Sequence, residues 1–182
     1  LDYAKKIKQI IMGEKIIPKQ TSMQVSKQKL VEIYSQDELI KQYAPAKFML
    51  NAGKLVSIKD AINSNSYSLG KLQREHSRKF TESIISNWLI YLNETLNLNN
   101  DMSIEQIRLA SVLICEEFYM LKMSDLTLLF KRIISGQYGE FYERLSIDKV
   151  LTFFRNYLEE RFEIAIDQSS RDHINNKQNE KI

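Results

Sequence analysis

Apolar residues recur at three- and four-residue intervals through the second half of this chain, and their spacing outlines four helices. Phe80, Ile84, Ile85, Trp88, Leu89, Leu92 and Leu96 fall on one face of a helix that Ser77 caps and Asn97-Leu98-Asn99-Asn100-Asp101 ends. Ser103 and Gln106 then form an S-x-x-Q capping box, in which each side chain satisfies an orphan amide of the other. The helix behind it is predicted to run to about Leu121 and to bury Ile107, Ala110, Ile114 and Phe118. Ser124 reads as the cap of a third helix over 125–135, with Asp125 in the first turn, where the helix dipole favours an anion, and Gly136 as its stop. A fourth helix follows Ser146 and is expected to reach about Asp167, with Ile147, Val150, Leu151, Phe154, Leu158, Phe162 and Ala165 facing inward. The polar residues after it read as a disordered tail.

The first seventy residues are patterned less strongly. Lys5-Lys6-Ile7-Lys8-Gln9-Ile10-Ile11 makes a short basic amphipathic stretch that ends near Gly13. Residues 26–43 read as a helix with Leu30, Ile33, Tyr34, Leu39 and Ile40 on its apolar stripe, stopped by Pro45. A loop around Asn51-Ala52-Gly53 precedes a short helix over 57–62, and Asn63-Ser64-Asn65-Ser66 reads as a linker. The expected organisation is therefore a basic, partly helical extension over 1–65, a helical bundle over 66–167 and a polar tail over 168–182. The fold class is all-α, a compact bundle of about four main helices. Five Gly and two Pro are too few for the turns of a β sandwich or barrel, which strengthens that choice.

Charge divides the chain where the patterning does. Residues 1–80 hold fifteen Lys and Arg against seven Asp and Glu, and residues 81–182 hold eleven against sixteen, which together give the formal net charge of +3. A cationic arm or face of this kind suits nucleic acid, an acidic protein, or the acidic half of another copy. The lone Cys115 builds no disulfide framework and, within Val112-Leu113-Ile114-Cys115, reads as a small buried hydrophobe. No apolar stretch approaches the ~20 residues that cross a bilayer, and no signal-peptide pattern opens the chain, so a reducing, cytoplasmic setting without membrane contact is expected. The chain begins with Leu rather than Met, which is equally compatible with a trimmed leader.

Chemistry of the enzymatic kind finds little footing. His76 and His173 lie far apart and outside any Glu-x-x-His or His-x-x-x-His pattern, so no metal site is expected. The adjacent pairs Glu116-Glu117 and Glu159-Glu160 diverge by about 100° around a helix and read as solvated faces. No phosphate loop, nucleophile elbow or Cys/His pairing occurs, so neither a cofactor nor an enzyme is expected. Asp125, Glu116 and Arg132 form the one set of ionisable residues that an enzymatic reading would draw on.

Two segments carry candidate binding residues. Lys71, Arg74, Arg78 and Lys79 stand at the entrance to the first long helix, where a continuous helix would align the first three as a phosphate track. A solvated helix face is the competing reading and the commoner one. In Gly136-Gln137-Tyr138-Gly139-Glu140-Phe141-Tyr142-Glu143-Arg144, two glycines bracket a tyrosine and two more aromatics follow. Tyr138, Phe141, Tyr142 and Arg144 are the candidates there for contact with a partner or an unpaired base. Packing of those aromatics against the end of the bundle is the favoured alternative, and exposure decides between them.

The segments Met102-Ser103-Ile104-Glu105-Gln106-Ile107, Leu121-Lys122-Met123-Ser124-Asp125-Leu126 and Gly136-Gln137-Tyr138-Gly139-Glu140-Phe141-Tyr142 resemble an uncharacterised family of small helical proteins, without an established activity, from phages, plasmids and integrated elements of gut bacteria. The resemblance covers about residues 70–165 and brings no catalytic residue with it. It implies a mobile-element setting, hence DNA replication, packaging or host takeover, and with the basic front the expected reading is a non-enzymatic accessory protein of DNA transactions such as a replication-associated adaptor or loader-like factor. DNA and a protein partner are the expected contacts. The alternative is a virion or assembly component, or an inhibitor of a host protein, acting by protein contact alone and able to form a homo-oligomer.

Overall fold

In the computed structural model, which describes residues 38–51, 55, 57–139 and 144–179, two stretches are buried on every side: 84–90 and 123–130. Each belongs to a helix, and the rest of the fold is arranged to cover them. A helical turn over 38–42 leads into α1 (Pro45–Asn51), then α2 (Ile58–Asn63), α3 (Leu69–Glu75), α4 (Arg78–Leu96), α5 (Ile104–Glu117), α6 (Met123–Ile134) and α7 (Ile147–Asn179). Among the described residues no strand occurs, as the all-α expectation requires, and no helix is long and apolar enough to cross a membrane. α6 is touched by α1, α2, α4 and α7, while α5 packs on α4 and α7, and α3 on α4. A helix buried around its circumference from 123 to 130 must be enclosed in this way, and its buried Ser124, Asp125 and Thr127 must find partners inside.

The aromatic core joins those helices. Trp88 of α4 meets Phe130 of α6 edge-on at 5.0 Å, Phe130 meets Phe154 of α7 at 6.3 Å, and Phe118 closes on Phe154 at 5.1 Å. Each fully buried aromatic or leucine contributes about 1.5–3 kcal/mol relative to exposure. The Trp88 indole N–H also donates to the Tyr43 carbonyl at 3.0 Å, so the segment before α1 belongs to the same core.

Local chemistry sets the helix ends. The Ser57 box with Asp60 starts α2, the Ser103 box with Gln106 starts α5, and Ser77 accepts from the Phe80 amide at 3.1 Å to start α4. Asn97 takes the left-handed conformation that ends α4. Gly136, at φ 76°, ends α6 in a Schellman arrangement: its N–H donates to the Ile133 carbonyl and the Gln137 N–H to the Arg132 carbonyl.

Four details differ from what spacing alone predicts. α6 begins at Met123, and its first turn is closed by the Lys122 N–H donating to Asp125 Oδ2 at 2.8 Å. Ser124 is not that cap; its hydroxyl is buried with those of Ser64, at 2.6 Å, and Ser66, at 2.8 Å, and donates to the Ala61 carbonyl. The residues on either side of position 65 thus both bond to α6. α5 stops at Glu117, because the chain turns at Phe118 to let the Tyr119 and Leu121 carbonyls accept from the first amides of α3. Phe162, expected inside, is 44% exposed, because the inward line of α7 there runs through Tyr157, Arg161 and Ile164; Tyr157 is the buried aromatic on that stretch. α7 itself continues to Asn179 rather than ending near Asp167 in a disordered tail. The Arg171–Asp167 pair one turn apart and a Gln168–Asn63 contact support the extension. The helix expected over 26–43 lies outside the described residues up to position 37, as does most of the loop around residue 53.

Candidate functional site

The four basic residues do not lie along one continuous helix. Lys71 and Arg74 are on α3, the chain breaks at His76 and Ser77, and Arg78 and Lys79 open α4. Lys71 rests 4.3 Å above the Tyr67 ring and 3.8 Å from the Glu75 carboxylate. Arg78 bonds Glu82 Oε1 at 2.8 Å and reaches across to Glu116 Oε1 on α5 at 2.5 Å. Those two carboxylates, Glu82 first, raise the Arg78 pKa further above its already high value. Arg74 and Lys79 are exposed and form no ion pair among the described residues.

The described acids that border this edge all have a cation partner, two of them sharing Arg78. Glu117, next to Glu116, holds Arg155 of α7 through two bonds of 2.6 and 2.9 Å. Glu75 takes Lys71, and Glu82 and Glu116 share Arg78, so Arg74 and Lys79 are the cations of this edge left outside ion pairs among the described residues. The adjacent glutamates 116 and 117 are indeed exposed and point to different partners.

An aromatic residue that spacing does not single out completes the edge. Tyr119 is 54% exposed in the turn between α5 and α6. Its carbonyl accepts from the Gly70 N–H at 2.7 Å, and a methyl group at Gly70 would come 3.1 Å from that oxygen and 3.4 Å from the Tyr119 ring. Glycine at position 70 is what allows this approach. Gln73 ties α3 to the end of α5 through the Cys115 carbonyl at 2.9 Å, and Leu69 N–H bonds the Leu121 carbonyl at 2.8 Å. The only advance signal for Tyr119 was Gly70 itself, a glycine inside a helical pattern where alanine would be favoured by about 1 kcal/mol.

Of the second set of candidates, Tyr138 and Arg144 are among the described residues. Tyr138 is half-buried, its ring 5.5 Å from Phe153 of α7, and burial pushes its phenol pKa up, with the neighbouring Arg132 offsetting part of that. Phe141 and Tyr142 lie outside the described residues. Arg144 is exposed, bridges its backbone to Asn100, and adds to the Ser146 hydrogen bond that lowers the Asp148 pKa.

Asp125, Glu116 and Arg132 do not converge on one site. Asp125 is wholly buried: it accepts from the Tyr157 hydroxyl at 2.9 Å and from Arg161 Nε at 3.2 Å to both oxygens. Burial and the Asp125 charge keep the Tyr157 phenol protonated far above its ordinary range. Arg132 bonds Glu160 at 2.7 Å and lies 5.7 Å from the Tyr157 ring. Cys115 is buried, and its thiol is pushed up to about 12, by desolvation first and the Glu82 charge second. His76 is half-buried against Phe80, with ring centroids 5.3 Å apart. Among the described residues no group of three His, Cys, Asp or Glu is placed to hold a metal ion.

Residues 101–180 match the model of a family of unknown function, DUF6633. The matched stretch starts just before the Ser103 capping box and takes in α5, α6 and α7, so the likeness to an uncharacterised family holds for the acidic half of the chain. No curated protein and no solved structure gives a significant match to this chain.

Proposed function

We propose that this chain is a non-enzymatic accessory protein of a phage or mobile element that works in DNA transactions in the cytoplasm, as an adaptor or loader-like factor. The basic edge holds DNA through phosphates while the helical body docks a protein partner. The observation that carries the reading is a pair of exposed cations, Arg74 and Lys79, that enter no ion pair among the described residues, while Glu75, Glu82, Glu116 and Glu117 each have a cation partner. Lys71 and Arg78, partly committed to glutamates, contribute field rather than free contacts. The lysines at 5, 6, 8, 15, 19, 27 and 29 supply further phosphate contacts from the front of the chain. Binding to labelled DNA, followed by anisotropy over a salt series, tests this. Each phosphate neutralised on a single strand steepens the log–log slope by about 0.7, so R74Q and K79Q should each flatten it by roughly that amount. Salt-insensitive binding, or none to any DNA, contradicts the reading.

A specific observation favours the second reading, contact between proteins alone in a virion component or host-protein inhibitor. Phe162 and Ile166 are exposed one turn apart on α7 and are flanked by the exposed acids Glu159, Glu163 and Asp167. An apolar strip with an acidic rim complements the basic front of a second copy. Sedimentation without nucleic acid at moderate and high salt separates the two readings, since only this one requires a salt-sensitive oligomer.

A further inference from the structure

Tyr119 and Gly70 are used by no part of the phosphate reading, yet their geometry is specific. Backbone bonds from Gly70 and Leu69 fix the turn around Tyr119, and the missing side chain at Gly70 lets the ring border α3 closely while more than half of the residue stays open to solvent. Arg74 lies one helical turn beyond Gly70 on the same face of α3, and Lys71 is its chain neighbour. An exposed aromatic on a rigid seat with cations beside it offers two separate contacts, a π-face for a base and charge for the flanking phosphates.

We propose that this edge takes single-stranded nucleic acid, with one unpaired base stacked on Tyr119 and the adjoining phosphate held by Arg74, Lys71 adding to the positive field. The proposal rests on the phosphate-binding reading above and refines it. In a duplex the base faces are covered by their neighbours, so the ring would have nothing to stack on. α3 is only seven residues long and packs on α4, so it does not project as a groove-reading helix.

The test uses the full chain with three labelled probes: a single strand of about fifteen nucleotides, a duplex hairpin of matched charge, and the same strand with its bases removed. Stacking is worth about 1–3 kcal/mol per base, so Y119A should weaken single-strand binding by roughly five- to a hundredfold, and Y119F should retain it. Wild-type protein should bind the abasic strand as weakly as Y119A binds the intact one. Equal binding of single strand and duplex, or a Y119A variant that binds like wild type, overturns the stacking proposal while salt-steep binding leaves the phosphate reading intact. Failure of the wild-type chain to bind any of the three overturns both. Circular dichroism of Y119A confirms that the exposed substitution leaves the helices in place.

Discussion

Replacing Asp125 with alanine should destabilise the fold more than any other change to a charged residue. The carboxylate is completely buried and accepts four contacts: the Tyr157 hydroxyl at 2.9 Å, Arg161 Nε at 3.2 Å from each oxygen, and the Lys122 amide at 2.8 Å. It therefore closes the first turn of α6 and ties that turn to the middle of α7. Alanine leaves a guanidinium whose side chain is 13% exposed and a buried phenol, both without their acceptor. Removing one partner of a buried pair costs about 3–5 kcal/mol, because the remaining charge stays desolvated. For a chain of this length that lowers the melting midpoint by roughly 6–20 °C, at about 2–4 °C per kcal/mol. Tyr157→Phe removes one hydrogen bond to a charge and should cost only about 1.5–3 kcal/mol. Urea unfolding followed by Trp88 emission reports the change, since that indole is enclosed between α4 and α6. The double variant should be less destabilised than the sum of the two singles, because both act on one network. A D125A protein within about 1 kcal/mol of wild type, the usual range of a surface ion pair, refutes the reasoning.

Three further outcomes follow from the geometry. Cys115 should resist alkylation at pH 8 in the folded protein and react only on unfolding, as thiol titration in and out of urea would show. Its thiol is pushed from 9.0 up to about 12, so the unfolded chain loses this proton first, and stability should be intact below pH 9 and fall as pH rises from there toward 12. Gly70→Ala should cost about 1–3 kcal/mol by overpacking against the Tyr119 carbonyl, and should weaken single-strand binding alongside, whereas unchanged stability would mean that the approach is not tight. Ser124→Ala should cost about 1–3 kcal/mol in urea unfolding, because the Ser64 and Ser66 hydroxyls lose their common partner; a neutral result would show that the hydroxyl cluster holds nothing.

Periodicity was a sound guide wherever one helix face meets the core. Ile84, Trp88 and Leu92 are buried on α4, and Ile107, Ala110 and Ile114 on α5, as their spacing requires. The Ser103 capping box was legible because Ser103 and Gln106 lie within one helical turn of each other, whereas the equally local Ser57–Asp60 box was not read. Ser124 shows the limit of that local grammar: it precedes an acidic first turn as a cap would, but its actual partners lie about sixty residues away at Ser64 and Ser66. Phe162 continues the apolar stripe of α7 in sequence, yet it is 44% exposed, because the line that meets the core passes through Tyr157, Arg161 and Ile164, and the arginine breaks the apolar pattern there. The basic cluster was visible as composition, whereas its division by the α3–α4 break and its partial neutralisation by Glu82 and Glu116 depend on tertiary contacts. Tyr119 escaped notice because Phe118-Tyr119-Met120-Leu121 reads as the continuation of an apolar helix, and only the turn at Phe118 sends the tyrosine outward.

The central claim is that the edge formed by Arg74, Lys79 and Tyr119 is where nucleic acid binds. Photocrosslinking of the full chain to a single strand carrying 5-iodouracil, with the adduct located by mass spectrometry, addresses it most directly. The expected result is an adduct on Tyr119 that fades as salt is raised. Adducts confined to other surfaces, or none under conditions where the strand is bound, would contradict it.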